Sequence, residues 1–243
     1  MDKVFITTMN KKLFDNFGKD LLVSYKNSNQ KYPMYVYVED DIKRYPIMNN
    51  ITYINLYEEE PECEKFVERN KDKHIPSFMF DGVRFNYKVF AQCNSIKFDC
   101  KVYYIDADSI FLKCMTRDVL DTILPDDICT SFYYRKSLYT ETGFIGFNFN
   151  HDIMVDFIEY YKNLYISDTV YNLPHYTDCH TFDRTRKIMT QQFTDDYYEK
   201  KLGDGGTGHI MARCNLIHDY LDHRKGKRKR HKHSPEWVWS NHG

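Results

Sequence analysis

The 243-residue sequence is defined first by what it lacks. No stretch reaches the ~20 consecutive apolar residues that a membrane-spanning helix needs, and this excludes an integral helical membrane protein. Met1-Asp2-Lys3 runs directly into a strand-like segment, without the apolar core of a signal peptide. The seven cysteines are odd in number and include no CxxC pair. That excludes a disulfide framework and fits free thiols in a reducing compartment, so a cytoplasmic setting is expected, whether cellular or that of a phage host. Charge of one sign is also missing: 34 basic residues against 35 acidic ones rule out a general polyanion binder. The balance hides one asymmetry, because residues 223–233 hold seven Lys or Arg and no acid. No internal repeat and no linker divides the chain.

What is present is an alternation of strand-like and helix-like segments. Val4–Thr8 reads as a buried strand, and Lys11–Tyr25 then places Phe14, Phe17, Leu21 and Leu22 at helical spacing. Tyr35–Val38 and Ile51–Leu56 are further β-rich runs, and a charged helical stretch begins near Glu62. Phe85–Ser95 reads as a helix leading into the strand Val102–Ile105. Such alternation predicts parallel strands joined by right-handed crossovers, with ligands at their carboxyl ends. Beyond Asp108, Ile128–Tyr134 and Phe144–Asn148 read as strands, and Asp152–Leu164 and Asp178–Thr190 as helices. The last forty or so residues look irregular, with Gly203–Gly208 as a mobile loop near the site. The expected fold is a single α/β domain with a mixed, mainly parallel central sheet flanked by helices. Residues 1–110 would form a nucleotide-binding half, and 111–243 an acceptor half with a basic C-terminal segment.

The sharpest chemical signal is Tyr103-Tyr104-Ile105-Asp106-Ala107-Asp108. A buried strand ends in two carboxylates one small residue apart, so both can face one point in a crevice. Mg²⁺ and Mn²⁺ take such oxygen ligands at nucleotide sites, completing their shell with phosphate oxygens. A solvated turn capping the next helix is the ordinary alternative. Phosphohydrolases that form an aspartyl-phosphate also use Asp-x-Asp, but there the pair follows the first strand; here it follows roughly the fourth.

Four stretches in order, IDADSIF at 105–111, ETGFIGFN at 141–148, TDCHTFD at 177–183 and HRKGKRK at 223–229, carry a resemblance that spans most of the chain. The sequence resembles the nucleotide-diphospho-sugar glycosyltransferases of GT-A fold, in the branch of the bacterial family-eight galactosyl- and glucosyltransferases and their phage-encoded relatives. The resemblance implies a hexosyltransferase that uses Mn²⁺ (or Mg²⁺) and a nucleotide diphosphate sugar, with a UDP-sugar as the expected donor. It implies that His223 completes a metal site with Asp106 and Asp108. It further implies that Lys229 grips the diphosphate, while Gly226 lets the backbone pass close by. Imidazole suits a borderline ion and lysine suits phosphate, so the chemistry is coherent; a solvated basic tail is the alternative.

Two substitutions depart from the family pattern. Glu141 stands in place of an asparagine that faces the donor sugar, where it would accept hydroxyl hydrogen bonds or act as acid or base. Asp178 keeps the acidic position near the sugar, but Cys179 replaces the glutamine that follows; Asp178 equally suits a helix N-cap. Arg84 and Lys88, one helical turn apart, would reach donor phosphates or sugar, or else form a solvent-facing basic pair. Thr7 and Thr8 end the first strand and Glu39 or Asp40 the second, the usual contact points for base and ribose in such folds. Trp237 and Trp239 could stack on a sugar or base or simply pack, and His242 has no evident role.

The acceptor divides into two classes: a hydroxyl on a glycan or other small acceptor, or a hydroxymethylated base in duplex DNA. The basic surplus around Arg224, Lys225, Lys227, Arg228, Arg230 and Lys232 favours DNA, and the neutral total charge opposes it. A non-catalytic nucleic-acid-binding protein is a third possibility, although such a protein has no need of the aspartate pair.

Overall fold

The computed structural model describes residues 2–73, 77–136, 138–206, 209–226 and 228. Lys229, Trp237, Trp239 and His242, with Lys227, Arg230 and Lys232 of the basic surplus, lie outside the described residues.

A seven-stranded sheet forms the centre, built from β1 (Lys3–Met9), β2 (Met34–Val38), β3 (Ile51–Asn55), β4 (Lys101–Ile105), β6 (Thr130–Arg135), β7 (Glu141–Asn148) and β8 (Glu199–Gly205) in the spatial order β3-β2-β1-β4-β7-β6-β8. β1, β2, β3 and β4 are mutually parallel; β7 pairs antiparallel with both β4 and β6, and β6 pairs parallel with β8. The sheet is therefore mixed and mainly parallel, with β7 alone reversed, and it draws strands from both halves of the chain. Two shorter strands, β5 (Ser109–Phe111) and β9 (Leu221–His223), form a separate antiparallel ribbon.

Helices cover both faces: α1 (Lys11–Leu13), α2 (Lys19–Asn27), α3 (Leu56–Glu59), α4 (Pro61–Asn70), α5 (Gly82–Asn94), α6 (Arg117–Ile123), α7 (Ile153–Ile166), α8 (Asp178–Gln192) and α9 (Ile210–Arg213). Strands buried on both sides are apolar throughout rather than alternating, which is why VFIT and VYYI read as continuous runs. Successive residues nevertheless serve opposite faces. Val102 and Tyr104 of β4 pack with Phe66, Phe90, Phe157 and Phe182 from α4, α5, α7 and α8. Tyr103 and Ile105 pack on the other side with Leu21, Leu22, Tyr25 and Leu120 from α2 and α6. Lys3 and Lys101 are 3 % exposed and place their ammonium groups on Asp121.

Residues 199–205 are more regular than their sequence suggests. Gly203 to Gly205, expected in a loop, are the end of β8, at the edge of the sheet beside β6. The strand EKKLGDG was hidden because Leu202 is its single apolar residue, packed at 1 % exposure. Gly203 and Gly205 adopt φ of +80° and +75°, conformations that side chains other than glycine rarely take. β7 also begins at Glu141, earlier than expected, and all eight of its residues are buried.

Candidate active site

β4 ends at Ile105, and the backbone then turns. The Asp106 amide donates to Gly143 O on β7 (2.9 Å) and the Ser109 amide donates back to Asp106 O (3.0 Å). This turn brings the two carboxylates to one side. The chain enters β5, whose Ser109 is paired with His223 on β9, and the Arg224 amide closes the junction on Asp108 O at 3.0 Å. Cross-strand register thus carries the imidazole to the aspartates. His223 Nε2 lies 2.9 Å from Asp108 Oδ1 and 3.6 Å from Asp106 Oδ2, and one ligand atom from each residue falls within 4.8 Å of the others. Burial opposes a charge on His223, but Asp108, with Asp106 behind it, outweighs burial and raises its pKa above the ordinary 6.5. A buried nitrogen and two half-buried carboxylates in one cluster suit a borderline divalent ion. Gly143 backs the cluster: a Cβ there would meet His223 Nδ1 at 2.6 Å and Asp106 Oδ2 at 3.3 Å.

Lys88 of α5 does not face solvent. It is 8 % exposed, and Nζ lies 2.8 Å from Asp106 Oδ1, 2.6 Å from Asp178 Oδ2 and 2.8 Å from Thr142 O. Burial would raise the pKa of Asp178, but Lys88 and the Thr142 hydroxyl more than compensate and lower it. Asp178 is the first residue of α8 rather than its cap. Thr177 caps, its hydroxyl accepting from the His180 amide, which leaves the Asp178 carboxylate free to turn inward. Cys179 follows within 3.1 Å of the Thr142 hydroxyl, and burial pushes its thiol up to about 12.

Glu141 opens β7 beside this cluster. Its Oε2 accepts from Lys225 Nζ at 2.7 Å and lies 3.7 Å from Arg135 Nη1. Burial opposes its charge, yet Lys225, His223 and Arg135 together hold its pKa at about 2.

These groups line one cavity of about 910 Å³. Of the residues singled out in the sequence, Asp106, Asp108, His223, Lys88, Asp178 and Glu141 meet at its polar end. Thr8, Glu39, Arg84 and Gly226 also line it. Thr7 does not: it is fully buried within β1. Glu39 accepts from Asn10 Nδ2 at 3.2 Å, and burial pushes its carboxyl up to about 7. Asp40 instead accepts from the Lys11 amide and from Tyr45, outside the lining. Arg84 rests over the rings of Phe78 and Phe85. Exposed Phe78 lines the cavity and packs edge-on against Phe85; outside the lining, Phe80 contacts His175, and Tyr139 contacts both His175 and His180.

Three contributors had no separate signal in the sequence. Lys225 was visible only as part of the basic run, Thr142 as part of its motif, and Arg135 not at all. Lys225 and Thr142 act through partners remote in sequence, Lys225 with Glu141 across 84 positions and Thr142 with Asp178 across 36.

No protein-family profile matches the sequence, and no curated protein matches it. Solved structures do match in fold. Apo mouse xyloside xylosyltransferase 1 superposes with a TM-score of 0.52 at 10% identity, over 84% of this chain and 86% of that one. The chain has the GT-A glycosyltransferase fold. The apo structure of the bifunctional glycosyltransferase WbbM matches with a TM-score of 0.50 at 11% identity, covering 93% of this chain and 46% of the longer WbbM chain. In this GT-A chain the candidate triad lies where ligands of open α/β sheets bind, beyond the carboxyl end of a central strand. Among the described residues no helix is long and apolar enough to cross a membrane.

Proposed function

We propose that the chain is a metal-dependent glycosyltransferase that moves a hexose from a nucleotide diphosphate sugar, with a UDP-sugar as the expected donor, to a hydroxyl on a glycan or other small acceptor. The observation that carries this reading is the convergence of Asp106, Asp108 and His223 at the polar end of a cavity large enough for such a donor. Asp106, Asp108 and His223 would hold Mn²⁺ or Mg²⁺, which supplies Lewis-acid stabilisation of the charge that develops on the departing diphosphate.

The chain's own residues divide the remaining work. Lys88 fixes the orientation of Asp106 and Asp178 by bonding both. Asp178, ionised and braced by Thr142, presents a carboxylate toward the sugar, where it steadies positive charge developing at the anomeric carbon. Glu141, held ionised, serves as a hydrogen-bond acceptor for sugar hydroxyls and not as an acid at neutral pH. Gly226, at φ +61° with open space around its Cα, lets the backbone approach phosphate, with Lys229 as the proposed grip. Thr8 and Glu39 line the cavity as the proposed contacts for base and ribose, and Arg84 lines it as a proposed contact for the donor phosphates or sugar.

The rings of Phe78 and Phe85 in the cavity lining, Phe78 being exposed, support a sugar acceptor, since flat apolar faces suit a pyranose. Transfer to DNA has weaker support, because Arg224 and Lys225 are already paired with Asp20 and Glu141. A purely binding protein has no use for the triad.

Mn²⁺-dependent hydrolysis of UDP-sugars by the purified protein tests the reading. The Asp108→Asn variant should keep its fold and lose roughly a thousandfold in turnover, as expected when several kcal/mol of transition-state stabilisation is removed. Wild-type turnover in that variant would refute the metal assignment.

A further inference from the structure

We infer that Lys225 is a transferable cation, resting on Glu141 in the free protein and moving to the donor diphosphate when nucleotide binds. This role rests on the donor reading above and adds a phosphate-binding residue to it.

Among the described residues two lysines flank the triad, and they are held in opposite ways. Lys88 is buried and fixed by Asp106, Asp178 and the Thr142 carbonyl, so withdrawing it would strand two acids. Among the described residues Lys225 has one carboxylate partner, Glu141, and its side chain is 44 % exposed against 9 % for that of Glu141. The cation therefore forms the open side of the pair. Its backbone is fixed two residues after His223, with the Lys225 amide on His223 O at 2.8 Å, while its four-carbon stem can swing through the same cavity.

Glu141 can release it. Breaking a buried ion pair normally strands a charge, but Glu141 keeps Arg135, 3.7 Å away. That guanidinium is tied to the carbonyls of Tyr139 and Thr140 and stays in place. Charge balance gives Lys225 a destination. A divalent ion offsets Asp106 and Asp108, and Lys88 is matched by Asp178, so an arriving diphosphate brings negative charge that this set leaves unmatched. Lysine supplies a compact, mobile counter-charge for it.

The test is calorimetric titration of UDP, GDP and UMP in saturating Mn²⁺, with the full chain and its Lys225→Met, Lys225→Arg and Glu141→Gln variants. Lys225→Met should weaken the diphosphate by roughly tenfold or more, the loss of one charge-assisted hydrogen bond, and barely change UMP. Lys225→Arg should restore most of the loss. Glu141→Gln, which frees the lysine from its resting place, should tighten the diphosphate by about two- to fivefold. Opposite signs for the two variants separate a transferable cation from a structural pair, whose loss would weaken binding in both. Equal weakening in both variants, or equal losses for UDP and UMP in Lys225→Met, would overturn the proposal. Lys225 is half exposed, so its variants carry the test even if Glu141→Gln is unstable. Binding of neither UDP nor GDP by the wild type would remove the donor reading itself, and this role with it.

Discussion

Gly143 and His223 are packed so closely that position 143 admits no side chain. A Cβ built there would sit 2.6 Å from Nδ1 and 2.7 Å from Cε1 of the imidazole. Gly143→Ala should therefore displace the ring and lower Mn²⁺ affinity by about 10–100-fold, the usual loss when a ligand's support is disturbed. The strain should cost about 1–3 kcal/mol of stability. Metal titration followed by electron paramagnetic resonance, with thermal melts alongside, checks both; unchanged affinity would mean that His223 does not bind the ion.

Lys88 is the counter-charge of two acids at once. Lys88→Met leaves Asp178 buried without its cation and should destabilise the fold by about 3–5 kcal/mol, lowering Tm by roughly 10 °C in a chain of this size. Adding Asp178→Asn removes the stranded charge and should recover part of the loss. Melting curves of the single and double variants decide; additive losses would contradict the pairing.

His223 makes the metal-free protein and the metal complex respond to pH in opposite directions. Because its folded pKa is raised above the ordinary 6.5 by Asp108 and Asp106, its contribution to metal-free stability is complete below that ordinary value. It is lost as pH rises through the raised value. Mn²⁺ needs the neutral ring, so its affinity should rise over the same interval. Melting temperatures from pH 5.5 to 9, with and without Mn²⁺, should show the increment due to the metal growing with pH. An increment independent of pH would exclude a histidine ligand.

Cys179 lines the cavity but is a poor nucleophile, since burial pushes its thiol up to about 12 from 9.0. At pH 8 its thiolate population is about a thousandfold below that of an unperturbed cysteine. Timed iodoacetamide labelling read by mass spectrometry should show correspondingly slow modification at this position. Labelling at the rate of an ordinary exposed thiol would show that the site is more open and more polar than its packing implies.

Much of the fold was legible because its central strands are buried on both faces and therefore apolar throughout, as in VFIT and VYYI. The aspartates were legible for a related reason: an apolar strand ending in Asp106-Ala107-Asp108 is a local pattern. β8 was not legible, since an edge strand holding only Leu202 in the core carries almost no hydrophobic signal. Whether Asp178 caps α8 or serves as the acid near the sugar was left open by the sequence, because Thr177 and Asp178 both suit the cap; Thr177 takes it, and Asp178 pairs with Lys88. Lys88 itself looked as suited to water as to the interior; its burial depends on Asp106 and Asp178 arriving from other elements. The Glu141–Lys225 pair is a product of topology, joining a strand of the main sheet to the segment after β9.

The short ribbon of β5 and β9 makes the triad a late product of synthesis. Asp106 and Asp108 emerge from the ribosome well before His223, which reaches them only when Leu221–His223 pairs with Ser109–Phe111. A nascent chain that stops short of position 223 thus carries only two of the three members of the candidate triad. Among the described residues β9 is the last strand, so the candidate triad is completed only after every strand of the main sheet has been made.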